Sequence, residues 1–212
     1  MIEPGKVAGV LLAGGQARRM GGGDKCLRQV GGRSILSYII ERLSPQVSGM
    51  VLNANGDPAR FDAFGLPVRA DSIDGFAGPL AGVLTGMDWV IETGNKFDWI
   101  LTAPTDAPFL PSDLCDRLRA AIDSDSTDMA RAESGGRAHP VVGLWPVALR
   151  DALYDAMTKE DIRKVDRWTA RYAVSDVDFP TVPIDPFFNA NTPDDIERAE
   201  TYLNGIAGSG HP

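Results

Sequence analysis

The chain has 212 residues, and its composition is that of an average globular protein. Hydrophobic residues make up 43% and charged residues 24% of the sequence, a balance that excludes fibrous and disordered classes and predicts a sizeable core. The 29 acidic residues outnumber the 21 basic ones, so the formal net charge is -8, which argues against a surface that follows a nucleic-acid backbone. Any site for an anion must therefore be local.

Neither membrane insertion nor a disulfide framework is predicted. No apolar run approaches the roughly 18 residues that a membrane span requires, and the run Val7–Leu12 is too short for the core of a signal peptide. Cys26 and Cys115 lie far apart and lack the spacing of a metal site. We therefore expect a soluble protein of the reducing cytoplasm, in which Cys26 is a packing residue.

Short apolar runs alternate with stretches of helical periodicity along the first half of the chain. The run VAGVLL ends in Gly14 and Gly15, which is typical of a buried parallel strand that enters a loop. Ser34 can cap a helix whose apolar residues fall on one face. We predict strands at Val7–Leu12, Met50–Asn53, 68–70 and 99–103, and helices at 34–43, 57–64, Pro79–Glu92 and 112–122.

The second half of the chain is less regular. Thr192 offers a capping hydroxyl before a first-turn proline and two acidic residues, which predicts a helix that runs to about Leu203. No internal repeat or linker divides the chain, so we predict one α/β domain over residues 1–204, with a mostly parallel sheet flanked by helices, and a flexible tail at 205–212. The other predicted elements are strands at 128–132 and 141–145 and helices at 147–157 and 162–169.

A basic, glycine-rich segment lies between Ala13 and Arg33. It holds five basic residues and one acidic residue, Asp24, so its charge is +4 and the remainder of the chain carries -12. Glycines let backbone N–H groups approach a polyanion closely, which favours a triphosphate ligand; a surface loop with solvated charges is the alternative. Ligands of parallel sheets bind beyond the carboxyl ends of the strands, so Asp106, which follows strand 99–103, should face this loop.

The segment fits neither of two common phosphate-binding motifs. A P-loop requires Ser or Thr after its lysine, but Cys26 follows Lys25. The dinucleotide fingerprint fails because the glycines at 21–23 lack a further glycine at the required place. Kinase and NAD-dependent chemistry are therefore disfavoured.

The string LLAGGQARRMGGGDKCL, at residues 11–27, resembles the LxGGxxxRMGxxxK motif of nucleotidyltransferases, and more closely that of the molybdenum cofactor guanylyltransferase (MobA) family. The resemblance implies a Rossmann-like nucleotidyltransferase fold and transfer of GMP from GTP to the terminal phosphate of molybdopterin, with release of diphosphate. Further similarities cover nearly the whole chain, namely VLNAN at 51–55, DS at 71–72, GPLAG at 78–82, TDAPF at 105–109 and FNANTP at 188–193.

The resemblance also implies a set of site residues. Arg19 and Lys25 would neutralise phosphates during catalysis, and Asp106 would hold magnesium, a cation that needs only one or two protein carboxylates. Asp71 suits guanine, whose N1–H and exocyclic amine are two adjacent donors that one carboxylate can accept. Taken alone, such residues are also typical of turns and caps. The implied nucleotide-binding residues are Leu12, Ala13, Gly14, Gly15, Lys25, Asn53, Asp71, Gly78 and Asp106.

On the acceptor side, the resemblance implies Asn189 and Asn191, which would bind the acceptor or support the metal. It also implies His139, although a histidine before proline at a strand start is also typical of a structural role. The acceptor phosphate is a dianion at neutral pH, since its second pKa is about 6, and needs no general base. The implied partners are GTP and molybdopterin, with transient contacts to molybdenum insertion and client proteins. The alternatives are a cytidylyltransferase for the same pterin or for a sugar or polyol phosphate, and a nucleotide-binding module without turnover.

Overall fold

The structure, a computed structural model, describes residues 2–14, 24–75, 78–94 and 96–208. Most of its strands form one seven-stranded sheet, and the two short strands at residues 29–34 pair as a separate hairpin. The strands are β1 (Val7–Leu12), β2 (Gln29–Val30), β3 (Arg33–Ser34), β4 (Met50–Asn53), β5 (Val68–Arg69), β6 (Trp99–Pro104), β7 (Met129–Ser134), β8 (Arg137–Pro146) and β9 (Val174–Phe179).

The order of the large sheet is β5-β4-β1-β6-β8-β7-β9. Strand β8 pairs antiparallel with both of its neighbours, whereas all other pairs are parallel, so six strands run in one direction and only β8 is reversed. The expectation of a mostly parallel sheet is therefore confirmed. Because the chain leaves β1 for β4 on one side and returns to β6 on the other, β1 marks a switch point, where such sheets open a crevice for ligands.

Helices cover both faces of this sheet. Alternate residues of β1 point to opposite faces, so Leu11 belongs to the core on one side and Val10 to the core on the other. The first core holds buried residues of α1 and α3, and the second those of α2, α4 and α5. The helices are α1 (Ile35–Leu43), α2 (Pro79–Glu92), α3 (Leu114–Asp125), α4 (Arg150–Thr158), α5 (Val165–Thr169) and α6 (Pro193–Gly208).

The register of the parallel strands aligns their carboxyl ends at one edge of the sheet. Leu12 pairs with Asn53 on one side and with Pro104 on the other, and Asn53 pairs in turn with Arg69. The first residues beyond β1, β4, β5 and β6 therefore emerge side by side. We call this the carboxyl edge.

Several predicted elements are confirmed with their bounds, including β1, β4 and α2. The helix α1 begins after Ser34, whose hydroxyl accepts a hydrogen bond from the N–H of Ser37 at 3.1 Å, as a capping serine should. Residues Pro58–Phe64 form a 3₁₀ helix, shorter by one residue than the predicted helix because Asp57 caps it from outside. Strands β2, β3 and β9 were not predicted.

One boundary was wrong at the C-terminus. The last helix, expected to end at about Leu203, continues to Gly208, so residues 205–208 of the predicted tail are helical. Tyr202 and Leu203 pack against the core, which anchors the helix where its end was expected. Residues 209–212 lie outside the described residues. None of the helices described has the length and apolar character to cross a membrane.

Candidate active site

The nucleotide-binding residues predicted after β1 lie at the carboxyl edge. The N–H of Ala13 donates to the carbonyl of Asn53 at 2.9 Å, so the chain stays in register with β4 for one residue beyond the strand. On the other side, the hydroxyl of Thr105 donates to the carbonyl of Leu12 at 3.2 Å. Gly14 follows and is exposed. Gly15 and Arg19 lie outside the described residues, so their predicted roles stay predictions.

Asp71, which follows β5, is held by two asparagines at the end of β4. Its Oδ1 accepts from Nδ2 of Asn53 at 2.9 Å, and its Oδ2 accepts from Nδ2 of Asn55 at 2.8 Å. The side-chain oxygen of Asn55 in turn accepts from the N–H of Asp71 at 2.9 Å. Each carboxylate oxygen keeps further lone pairs, so the group is fixed in orientation and can still accept bonds from a ligand.

Asn53, Asn55 and Asp71 form a cluster that we call the base-side cluster. The first turn of α2 packs tightly against it. A Cβ atom at Gly82 would lie 2.4 Å from Oδ1 of Asn53 and 2.5 Å from Cδ2 of Leu12, distances that only a glycine permits. Gly78 is the residue before the helix, with φ of 149°, and its carbonyl accepts from the N–H of Ala81 at 3.3 Å. The glycines of GPLAG thus bring the helix N-terminus to the carboxyl edge, where the positive end of the helix dipole can face an anion.

Lys25 and Asp106 meet at the junction between β6 and the C-terminal part of the chain. The ammonium group of Lys25 donates to Oδ1 of Asn191 at 3.0 Å, across 166 residues of sequence. The carbonyl of Asp106 accepts from the N–H of Ala190 at 2.8 Å, which ties the segment 189–191 to the end of β6. Asn189 is the exposed member of this segment.

Burial raises the pKa of the Asp106 carboxyl, and the nearby positive charge of Lys25 opposes that shift only in part. A charged carboxylate in this position therefore lacks solvation, and a cation beside it would supply what is missing. Within the described part of the chain no group of three or more potential metal ligands is found. A single carboxylate suits a magnesium ion that takes its other ligands from water and phosphate oxygens.

The start of α6 fixes the position of Asn191. One carboxylate oxygen of Asp195 accepts from the N–H groups of Asn191, at 3.1 Å, and of Thr192, at 2.9 Å. The hydroxyl of Thr192 accepts from the N–H of Asp195 at 3.2 Å, so the two residues form a reciprocal capping box. The helix start predicted from the sequence is confirmed, and it presents Asn191 to Lys25.

His139 belongs to a hydrogen-bonded chain beside the same edge. Its Nε2 lies 2.7 Å from the hydroxyl oxygen of Ser134, and that hydroxyl donates to Oδ1 of Asp185 at 3.0 Å. A register shift between β7 and β8, where Ala132 pairs with His139, interrupts the regular pairing just at this point. Burial lowers the pKa of His139, with Asp185 opposing the shift, so its imidazole is neutral at neutral pH.

Most of the residues that hold the predicted site residues in place were not predicted. Asn55, Ser134, Asp185 and Arg60 each contact a site residue or its neighbour, but the contacts of Asp185 and Arg60 span tens of residues. Asn55 alone carried a local signal, because it lies two residues after the predicted Asn53 in the string VLNAN. Cys26 is buried, and burial raises its pKa to about 11, which agrees with the packing role expected for it.

The profile of the MobA-like NTP transferase domain matches residues 9–175, which is most of the chain. The chain belongs to this family. A molybdenum cofactor guanylyltransferase of Rhodopseudomonas palustris (strain BisB5) is 58% identical to it over 191 residues, which are 90% of this chain and 91% of that protein. The family resemblance inferred from the motifs is therefore confirmed.

Solved structures share the fold of this MobA-like domain. The molybdopterin-guanine dinucleotide biosynthesis protein A of Archaeoglobus fulgidus is similar with a TM-score of 0.71 and 22% identity, over 93% of this chain and 99% of that one. A protein of Mycobacterium tuberculosis, solved in complex with manganese, has a TM-score of 0.63 and 15% identity, over 94% of this chain and 100% of that one. At these identities the likeness concerns the fold, which confirms the Rossmann-like nucleotidyltransferase architecture.

Proposed function

We propose that the chain transfers GMP from GTP to the terminal phosphate of molybdopterin, forming molybdopterin guanine dinucleotide and releasing diphosphate. An oxygen of the acceptor phosphate forms a bond to the α-phosphorus of GTP, and the bond from that phosphorus to the β-phosphate oxygen breaks. The relatives named molybdenum cofactor guanylyltransferase support this reaction, since the chain matches them over nearly its full length.

The observation that carries the proposal is the meeting of Lys25, Asp106 and Asn191 at one place on the carboxyl edge. Lys25 comes from the basic loop, Asp106 from the end of β6 and Asn191 from the segment before α6. The chemistry joins two anions, so its main requirement is to align them and to offset their repulsion. Lys25 supplies the positive charge, and Asn191 holds its ammonium group between the nucleotide and the acceptor sides of the site.

The base-side cluster supports the choice of guanine. Asn53 and Asn55 donate to the two oxygens of Asp71, which leaves a rigid acceptor pair for the N1–H and 2-amino groups of guanine. Adenine and cytosine do not offer two adjacent donors in that arrangement. We therefore infer that Asp71 reads the base.

We infer that the metal at this site is magnesium, held by Asp106. The poorly solvated carboxylate of Asp106 fits a hard divalent cation that takes its other ligands from water and phosphate oxygens. When bound, such a cation neutralises phosphate oxygens and raises the electrophilicity of the phosphorus. The manganese complex of the structural neighbour supports a divalent cation in this fold. Lys25 would bind phosphate oxygens beside it, and Asn191 would keep the ammonium group in place.

The experiment that tests the function is isothermal titration with GTP, CTP and ATP in the presence of magnesium, for wild type and for Asp71→Ala and Asp106→Ala. We expect GTP to bind selectively, Asp71→Ala to weaken that binding about tenfold or more, and Asp106→Ala to make it insensitive to magnesium. Asp176→Ala is the control, because Asp176 pairs with Arg131 away from the carboxyl edge.

Each outcome of the titration decides a separate part of the proposal. Tightest binding of CTP would keep the nucleotidyltransferase chemistry and overturn the guanine product. Absence of nucleotide binding would overturn the enzymatic function. Binding of GTP without formation of the dinucleotide from molybdopterin would leave a nucleotide-binding module.

We also infer that the protein acts in the cytoplasm and passes its unstable product directly to molybdenum insertion and client proteins. A pterin that degrades in solution is best transferred between proteins in contact, which supports direct transfer. A pull-down under gentle conditions, with GTP and molybdopterin present, should retain such partners. Failure to recover any of them would contradict direct transfer.

A further inference from the structure

The side chain of Arg60 connects two segments of the carboxyl edge that are separate in sequence. Its Nε donates to Oδ2 of Asp24 at 2.5 Å, and its Nη2 donates to the backbone carbonyl of Asn55 at 2.6 Å. Arg60 itself lies in the 3₁₀ helix Pro58–Phe64, and its guanidinium stacks 4.5 Å from the ring centre of Phe61. Both ends of this bridge are therefore held by one planar group on a short helix.

The two bridged segments serve different parts of the proposed nucleotide site. Asp24 immediately precedes Lys25, which faces the phosphates in the proposed function. Asn55 holds Oδ2 of Asp71, which reads the base. Arg60 thus stands between the phosphate subsite and the base subsite without being part of either.

The bridge is partly withdrawn from water. The side chains of Arg60 and Asp24 are 27% and 22% exposed, whereas ion pairs on the open surface are well solvated and contribute little. A guanidinium offers several donors in a fixed plane, so it can hold a carboxylate and a carbonyl at once. This geometry suits a positioning role.

We propose that Arg60 is a positioning residue that couples recognition of guanine by Asp71 to placement of the loop that carries Lys25. The inference rests on the proposed function, because it assumes that Asp71 reads guanine. If the contact with Asp24 is lost, Arg60 becomes more mobile and holds the carbonyl of Asn55 less firmly. Asn55 then orients the carboxylate of Asp71 less precisely. Selectivity for the base therefore depends on a residue that precedes the phosphate-binding lysine.

The test compares GTP with inosine triphosphate, which lacks the 2-amino group and keeps N1–H. We expect Arg60→Gln to reduce the ratio of kcat/KM for GTP to that for inosine triphosphate about tenfold, since a misaligned carboxylate loses the bond to the 2-amino group. We expect Asp24→Asn to reduce this ratio by a similar factor. The double variant should reduce it no further than either single variant, because both changes break one bridge.

Arg150→Gln is a matched control. Arg150 pairs with Asp88 at 2.6 Å, the two side chains are 28% and 16% exposed, and the guanidinium stacks 4.9 Å from Tyr154, so the pair resembles the Arg60 bridge but joins α2 to α4. We expect Arg150→Gln to keep the wild-type ratio. An unchanged ratio in Arg60→Gln, an equal loss in Arg150→Gln, or additive losses in the double variant would overturn the proposal.

Hydrogen exchange without nucleotide separates this inference from the proposed function. Arg60→Gln should speed amide exchange at residues 24–28 and also at 53–55 and Asp71, whereas Arg150→Gln should leave both regions unchanged. Faster exchange in only one of the two regions would overturn the coupling, even in an active guanylyltransferase. Faster exchange in both regions of a protein that makes no use of GTP would instead confirm the bridge and reject the proposed function.

Discussion

The carboxylate of Asp106 is held where its negative charge is poorly solvated. Burial raises its pKa above the ordinary value of 3.8, and Lys25 compensates only in part. The folded protein therefore prefers the protonated form more than the unfolded chain does, and the charged form lowers the free energy of unfolding at neutral pH. This is the cost of a carboxylate that is ready to receive a cation.

Replacing Asp106 by Asn should stabilise the protein when metal and nucleotide are absent. A group with a raised pKa in the folded state contributes its stability below the unfolded pKa and loses it as the pH rises through the folded pKa. The Asn variant should therefore match wild type below about pH 3.8, exceed it increasingly as the pH rises to the folded pKa of Asp106, and keep a constant advantage above that pKa. We expect Tm to rise by about 2–4 °C for each kcal/mol regained, measured by thermal unfolding in a chelator from pH 4 to 8.

A control of opposite sign is available in Asp125. The hydrogen bond from Ser175 lowers the pKa of this carboxyl, so its charged form favours the folded state above the unfolded pKa. Asp125→Asn should therefore lose stability relative to wild type as the pH rises. If Asp106→Asn lowers Tm at pH 7 as Asp125→Asn does, the interpretation of Asp106 is wrong.

At the scale of elements, the approach of α2 to the sheet depends on two glycines one turn apart. A Cβ atom at Gly82 would lie 2.4 Å from Oδ1 of Asn53, and one at Gly86 would lie 2.4 Å from Cγ2 of Val10. The first contact involves a residue of the base-side cluster, whereas the second lies in the core between α2 and β1. The same substitution should therefore have different consequences at the two positions.

We expect Gly82→Ala to weaken GTP binding about tenfold, because the displaced Asn53 no longer holds Asp71. Gly86→Ala should instead destabilise the fold, since overpacking costs about 1–3 kcal/mol against the roughly 1 kcal/mol that alanine gains in a helix. Titration with GTP and urea unfolding separate the two effects. Equal loss of affinity in both variants, after correction for the folded fraction, would contradict this division.

The elements predicted well from the sequence are those that a local pattern specifies. The apolar run of β1, the cap and periodicity of α1, and the proline and apolar spacing of α2 each lie within one window of the chain. The reversed direction of β8 and the whole of β9 were missed because they depend on pairing with β6 and β7, which no local pattern records. Pairing between strands that are distant in sequence depends on contacts that form only in the folded sheet.

The same distinction applies to the candidate site. The family motifs indicated Lys25, Asp106 and Asn191, and the structure brings these three together. The bridge of Arg60 was not predicted, because its contact to Asp24 crosses 36 residues and involves no motif. The residues proposed to bind the ligand belong to family motifs and can be recognised in the sequence. The residues that position those side chains can be identified only from the packing of the folded chain.

At the scale of the molecule, one part of the sheet carries the residues proposed to bind the nucleotide, and the other part carries those proposed to bind the acceptor. The ends of β1, β4 and β5 carry the base-side cluster, while the ends of β7 and β8 carry Ser134 and His139. The two parts meet beside β6, where Lys25 contacts Asn191 and Asp106 contacts Ala190. Changes in one part should therefore leave binding in the other intact, and only the junction should affect both substrates.

Ser134→Ala tests this division from the acceptor side. The single hydroxyl proton of Ser134 is donated to Asp185, so Nε2 of His139 must be the donor to Ser134, and Nδ1 is left as an acceptor. In the proposed function Nδ1 would accept from an N–H group of the pterin. Without Ser134 this tautomer is no longer fixed, and we expect KM for molybdopterin to rise about tenfold while the Kd for GTP stays unchanged. Ser175→Ala is the matched control, because Ser175 is also buried and donates to Asp125 at 2.8 Å, in the half of β9 away from the carboxyl edge. A parallel loss of GTP affinity in Ser134→Ala, or an equal rise of KM in Ser175→Ala, would show that the two parts of the sheet do not act separately.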